Sequence, residues 1–175
     1  MSCVLITGGA RAGKSTYAQK LAADTSGKAL FVATAEAKDE DMRLRIEKHR
    51  KSRPSNWKTL EVPVNVGDAI NKSAGDFSAI IIDCITMLVS NIMLAAGDEA
   101  SAESAVLKEI DSLIKVMQSK SSDFILVSNE VGLGIVPDNE LSRIYRDLLG
   151  RANQLLAQHA DEVYLLVAGI PVKIK

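Results

Sequence analysis

Short apolar runs alternate along the chain with longer stretches that are apolar on one side only. The runs fall at 3–7 (CVLIT), 29–33 (ALFVA), 58–62 (KTLEV), 79–83 (AIIID), 123–128 (DFILVS) and 162–168 (EVYLLVA). Several are apolar throughout rather than at every second residue, the pattern of strands covered on both faces in a parallel sheet. The stretches between them carry helical spacing and predict helices over about 14–23, 39–52, 66–73, 85–96, 101–119 and 138–159. Such alternation builds a doubly wound α/β domain with right-handed crossovers. The end of the chain departs from it. Only Gly169-Ile170-Pro171 separates EVYLLVA from VKIK. Three residues cannot make a parallel crossover, so 172–175 is predicted to pair antiparallel at the sheet edge.

Size and charge narrow the picture. The 175 residues, 47% apolar and 25% charged, fit one domain spanning 1–175 with a real core. A net charge of −1 gives no global field toward nucleic acid or lipid, so any basic site must be local. No stretch reads as a secretory signal or a membrane span, so the expectation is a cytoplasmic protein without stable membrane insertion and without a nucleic-acid partner. Cys3 and Cys84 both fall in or beside strand runs and read as buried, reduced thiols.

Chemistry enters with "GGARAGKS", residues 8–15, between the first strand and the first helix. Gly8-x-x-x-x-Gly13-Lys14-Ser15 is the phosphate-loop spacing in its proper context. The backbone of Gly8, Gly9, Ala10, Arg11, Ala12 and Gly13 would turn its N–H groups toward phosphate oxygens, aided by the helix N-terminus. Lys14 would reach the β- and γ-phosphates, and the Ser15 hydroxyl would ligate Mg²⁺. A second acid for the metal is offered by Asp83, at the end of the apolar run AIIID, where an open α/β sheet binds its ligands. The alternative is that Asp83 caps the helix that follows.

The segment after the second strand, "ATAEAKDEDMRLRIEKHRKSRPSNW", is basic from Arg43 to Arg53 and holds one histidine. His49 follows Met42 and Ile46 at helical spacing, on the stripe turned toward the protein. Arg45 and Arg53 flank it one turn away on each side, and nearby cations disfavour imidazolium. A neutral, nucleophilic imidazole and a merely packed histidine both satisfy this pattern, and a charge run is in general a solvated face.

With these residues assembled, the chain resembles the bifunctional adenosylcobinamide kinase / adenosylcobinamide-phosphate guanylyltransferase family of cobalamin biosynthesis. The resemblance is carried by "TGGARAGKS", by "FVATAEAKDEDMRLRIEKHRKSRPSNWKTLE", by "DCIT", and by "VSNEVGLGIVPDNELSRIYRDLLGRANQLLAQHADEVYLLVAGIPVKIK". It covers nearly the whole chain in order. It implies a P-loop NTPase (RecA-like) three-layer α/β domain, mostly parallel with an antiparallel C-terminal edge strand. It implies a kinase acting on adenosylcobinamide with GTP or ATP and Mg²⁺. It further implies transfer of GMP from GTP to adenosylcobinamide phosphate through a GMP–histidine intermediate on His49. Nucleotide contacts are implied at Thr34, Ala35 and Glu36, at Arg50, Lys51, Ser52 and Arg53, and at Glu61 and Asp83. A homotrimer is implied as well. Two departures stand out: Lys48 occupies a place where some relatives have a second histidine, and Asp83 is one methylene shorter than the Glu of others.

Other features read more plainly. Asn129-Glu130-Val131-Gly132-Leu133-Gly134 follows the fifth strand and joins the same edge, as a ligand-facing or a merely flexible connection. Arg143, Arg146 and Arg151 read as a solvated helix face, His159 as a cation suited to a helix C-terminus, and Trp57 as an anchor. Two rival functions remain in view: a monofunctional small-molecule kinase using the phosphate loop alone, and a non-catalytic nucleotide-binding switch. The lack of a guanine-reading Asn-Lys-x-Asp motif weighs against the switch in its GTPase form.

Overall fold

In the computed structural model the six apolar runs and the C-terminal tail form one seven-stranded sheet. The structure describes residues 2–25, 27–37, 39–51 and 53–175, with the side chain of Arg45 left aside. The order along the chain is β1 (Cys3–Gly8), α1 (Lys14–Ala23), β2 (Ala29–Ala33), α2 (Glu40–Lys51), β3 (Lys58–Glu61), α3 (Val66–Lys72) and β4 (Ala79–Asp83). Then follow α4 (Ile85–Ala95), α5 (Glu99–Ser119), β5 (Asp123–Val127), α6 (Glu140–His159), β6 (Glu162–Val167) and β7 (Ile170–Lys173).

The strands lie in the order β3-β2-β4-β5-β1-β6-β7, all parallel except the last pair. Alternate residues of each central strand feed two separate cores, as the period of two requires. Leu5, Leu30, Val32, Ile80, Ile82, Phe124 and Leu126 pack toward a face covered by α3, α4, α5 and α6. Ile6, Phe31, Ala33, Ile81, Ile125 and Val127 pack toward the other, covered by α1 through Ala18 and Ala22. The result is three layers, helix on sheet on helix. Trp57 is half-buried and packs against the α1-side core. Both thiols are free; Cys3 is buried and Cys84 half-buried.

The edge strand is antiparallel as expected, but the turn is tighter. Ala168 and Gly169 form a two-residue connection with φ of 51° and 82°, the doubly left-handed turn that suits a strand pair's twist. Ile170 and Pro171 therefore belong to β7, with Pro171 opposite Leu166. Proline is tolerated there because an edge strand has one side without ladder partners.

This topology sets the site. β1 and β4 carry the loops of interest, and β5 lies between them. Chain direction across the sheet reverses around these strands, which opens a crevice beyond their C-terminal ends. No helix among the described residues is long and apolar enough to cross a membrane.

Candidate active site

The phosphate loop is held by its neighbours. Gly8 has φ of 142°, and a Cβ there would lie 2.5 Å from the Leu166 carbonyl oxygen of β6. Gly13 has φ of 92°, a conformation that disfavours side chains, and a Cβ would meet the Gly169 backbone at 3.3 Å. The Gly169 N–H in turn donates to the Ala12 carbonyl at 3.0 Å. The hairpin turn of β6 and β7 thus braces the outer wall of the loop. Lys14 Nζ donates to the carbonyls of Gly8 (3.0 Å) and Gly9 (2.6 Å), and only 8% of the residue is exposed. Burial holds its pKa below the ordinary lysine value, against the opposing pull of Cys84 and Asp83. A bound phosphate would favour the ammonium by direct attraction.

Arg11, Ala12, Gly13, Lys14 and Ser15 line a cavity of about 280 Å³ together with His49, Asp83, Cys84 and Asn129. A second cavity of about 660 Å³ opens beside it. Its walls are Ala35 and Glu36 after β2, Met42 and Ile46 of α2, Arg53 and Glu61, and Met87 of α4. His49, Asp83, Cys84 and Asn129 belong to both linings. One cleft therefore has two lobes, and four residues form the partition.

Asp83 ends β4 half-buried, and α4 starts after Cys84 with no side-chain cap. The carboxylate is thus left to the cleft and does not serve as that helix's cap. Its backbone is fixed by Thr34, whose Oγ1 accepts from the Cys84 N–H (2.8 Å) and donates to the Cys84 carbonyl (2.7 Å). Thr34 is wholly buried, so its hydroxyl clamps the turn after Asp83 from within rather than facing the cleft. Asn91, missed in the sequence, stands behind it. Its Nδ2 donates to the carbonyls of Thr34 (2.9 Å) and Pro63 (3.1 Å), joining the floors of β2 and β3. The signal was a lone Asn within the apolar helix ITMLVSNIMLA, where burial obliges a polar side chain to find partners.

On the α2 side, Met42 and Ile46 are half-buried and face the larger lobe, as their spacing predicted. His49 continues that stripe to the partition but is itself exposed. Arg53 stacks its guanidinium 3.8 Å over the Phe31 ring and donates to Thr59 Oγ1 at 3.4 Å. Burial lowers its pKa, offset in part by Asp83 and Glu61. Arg50 is exposed and faces Glu61 at 3.9 Å, a loose pair at the lobe's rim. Lys51 is exposed, Gly9 and Ala10 lie exposed on the loop, and Ser52 lies outside the described residues. The helix-face arginines are engaged elsewhere: Arg143 with the carbonyls of Pro137 and Asp138, Arg146 with Asp147, and Arg151 with Glu103.

Comparison with known proteins finds relatives that match nearly the whole chain. Residues 4–174 match the family described as CobU: Cobinamide kinase / cobinamide phosphate guanyltransferase. The bifunctional adenosylcobalamin biosynthesis protein CobU of Salmonella typhimurium is 43% identical over 180 residues, covering 98% of this chain and 99% of that protein. CobP of Pseudomonas aeruginosa, named in the same way, is 38% identical over 171 residues, with 98% and 96% covered. Among solved structures, the RadB recombinase superposes with a TM-score of 0.53 at 14% identity, covering 94% of this chain and 73% of that one. A Pyrococcus horikoshii protein gives 0.57 at 6% identity, with 99% and 86% covered. At such identities these two share the RecA-like P-loop fold alone. The sequence matches go further, running through both lobes of the cleft from β1 to the last strand, and on that ground the chain belongs to the CobU family.

Proposed function

We propose that the protein phosphorylates the aminopropanol hydroxyl of adenosylcobinamide with GTP or ATP, and then transfers GMP from GTP to adenosylcobinamide phosphate. The observation that carries the reading is His49, the single histidine of the cleft, on the partition between the phosphate-loop lobe and the larger lobe. One imidazole bordering both lobes can take a nucleotidyl group from one side and present it to the other.

In the first activity the substrate hydroxyl attacks the γ-phosphorus, the bond to the β-phosphate oxygen breaks, and the hydroxyl proton passes to solvent. Lys14 and the loop amides stabilise the charge gathering on the phosphates. In the second, an imidazole nitrogen of His49 attacks the α-phosphorus of GTP and pyrophosphate leaves. An oxygen of adenosylcobinamide phosphate then attacks the same phosphorus, the P–N bond breaks, and His49 is restored as adenosylcobinamide-GDP forms. Splitting one transfer between two anions into two steps is the advantage of a covalent intermediate. Arg53, anchored on Phe31, is suited to hold phosphate oxygens on the α2 side, and Arg50, Lys51, Ser52, Ala35, Glu36 and Glu61 are proposed as further nucleotide contacts. Thr34 serves by positioning Asp83.

Ser15 and Asp83 offer two hard oxygen donors in one cavity, and among the described residues no cluster of three His, Cys, Asp or Glu could hold a metal by itself. That set fits Mg²⁺, which takes few protein ligands and completes its shell from phosphates and water. When bound, it supplies charge neutralisation across the phosphates.

We further propose a cytoplasmic homotrimer. Val167, Ile170, Val172 and Ile174 are exposed along the open sheet edge, which supports self-association there; light scattering of the purified protein at three times the chain mass checks it. The activity is tested with α-labelled GTP. Wild type should carry acid-labile, base-stable label, and His49→Ala none. Equal label on both proteins, or none on wild type, removes the covalent step and returns the chemistry to the phosphate loop alone.

A further inference from the structure

Three members of the partition have a place in the chemistry above or lie beside it; the fourth, Asn129, has none yet. Its position is set by the sheet. Val127 pairs with Ile6 of β1 on one side and Asp83 of β4 on the other. Two residues on, Asn129 stands between the phosphate loop and the turn after Asp83. Its backbone is fixed on every side. Its N–H donates to Thr86 Oγ1 (2.8 Å), and its carbonyl accepts from Asn153 Nδ2 (3.0 Å). The flanking residues bind β1 directly, the Ser128 N–H to Ile6 O (2.9 Å) and the Glu130 N–H to Gly8 O (3.1 Å). Asn153 is oriented in its turn by the Ser128 hydroxyl at 2.6 Å.

Five hydrogen bonds thus hold the frame around one side chain, while among the described residues the Asn129 carboxamide itself has no hydrogen-bond partner. The residue is half-buried and lines both lobes, so its amide is available to a molecule bound in the cleft. A donor aimed into a cleft, on a backbone that cannot shift, is how preorganised stabilisation of a developing anion is built. The amide also suits its neighbourhood: it offers a donor beside Asp83 without adding a second charge.

We propose that Asn129 is a catalytic residue whose Nδ2–H donates to a non-bridging oxygen of the nucleotide's γ-phosphoryl group, strengthening as that group transfers. The proposal rests on the kinase reading of the cleft. Asn129 exchanges no proton; the bonds made and broken are those of the phosphoryl transfer already described.

The test compares wild type with Asn129→Ala and the isosteric Asn129→Asp, which keeps the backbone bonds should the alanine variant fold poorly. Binding is measured by competition for GDP, and for GDP with aluminium fluoride, a mimic of the transferring group. Turnover is measured with adenosylcobinamide and GTP. Asn129→Ala should bind GDP like wild type yet lose most of the gain from fluoride, with kcat down about 10²-fold and KM for GTP little changed. Asn129→Asp should fall further, since its carboxylate repels the phosphoryl oxygens. An unchanged fluoride gain in Asn129→Ala, or equal losses for GDP and its fluoride complex, overturns the proposal. If wild type gains affinity from fluoride but turns over no corrinoid, the substrate assignment fails while the same binding ratio still decides Asn129.

Discussion

The two walls of the cleft are held in opposite ways. The phosphate loop is braced at each step: Gly8 lies against β6, Ala12 is bonded to the hairpin turn, and Lys14 is drawn onto the loop's own carbonyls. The helix that follows it is pinned by Ala18 and Ala22, both buried. α2, which carries His49, has no such seat. It lies broadly against no other helix or strand among the described residues. Its order comes from local bonds, the Asp39 carboxylate accepting from the Met42 N–H and Arg43 paired to Glu40 and Glu47. Among its described side chains only Met42 and Ile46 are half-buried. The contrast fits the two tasks. A loop that grips any triphosphate in one pose gains from rigidity, whereas a nucleophile that takes GMP in one lobe and yields it in the other gains from latitude.

The largest effects should separate the walls. His49→Ala should abolish guanylyl transfer while leaving phosphorylation of adenosylcobinamide near wild type. Lys14→Met should cost both activities about 10²- to 10³-fold, because both need the same phosphates held. Separate assays with adenosylcobinamide and with its phosphate decide it. Should His49→Ala lose the kinase step as well, α2 would be part of the loop's grip and the contrast would collapse.

Stability should follow the same division. Gly8→Ala forces a Cβ against the Leu166 carbonyl and a poor φ at once, so it should cost at least about 3 kcal/mol and disturb β6. Ile46→Ala removes a half-buried side chain from the lobe wall, and about 1 kcal/mol is the scale expected for partial burial. Thermal unfolding of the two variants measures both. Hydrogen exchange adds the local view: amides of α2 should exchange before those of α1.

Why some of this was legible in the sequence, and some not, has a physical pattern. β4 at Ala79–Asp83 and α1 at Lys14–Ala23 were bounded correctly because apolar runs and the loop motif are local signals. The last turn falls at Ala168-Gly169 rather than at Gly169-Ile170-Pro171, because an edge strand leaves a proline nothing to disrupt and so takes in Ile170 and Pro171. The resemblance implies a nucleotide contact at Thr34, but the hydrogen bond of its hydroxyl to Cys84, fifty positions away, is a clamp that no spacing rule reports. The bracing of Ala12 by Gly169 spans almost the whole chain and is equally silent. His49 was legible as a stripe position, but its share in both lobes required the fold.

The smallest effect concerns no activity at all and sharpens the comparison most finely. Cys84 lies in the partition beneath α2, and burial, with Asp83 adding to it, pushes its thiol up to about 11. Cys3 is pushed up to about 12 by burial in the core, with Asp161 adding to it. Raised values mean less thiolate, so both thiols are sluggish at neutral pH, and alkylation should quicken about tenfold per pH unit while the pH stays below them. Their routes to reagent differ. Cys3 is exposed only when β1 leaves the sheet, an event that costs the global stability. Cys84 is half-buried and lines both lobes, so reagent reaches it through the cleft. With iodoacetamide at pH 8, Cys84 should therefore react measurably before Cys3, and nucleotide should slow Cys84 while leaving Cys3 unchanged. Equal rates for the two, both tracking global unfolding, would mean that the α2 wall keeps the cleft closed to reagent as firmly as the phosphate loop does.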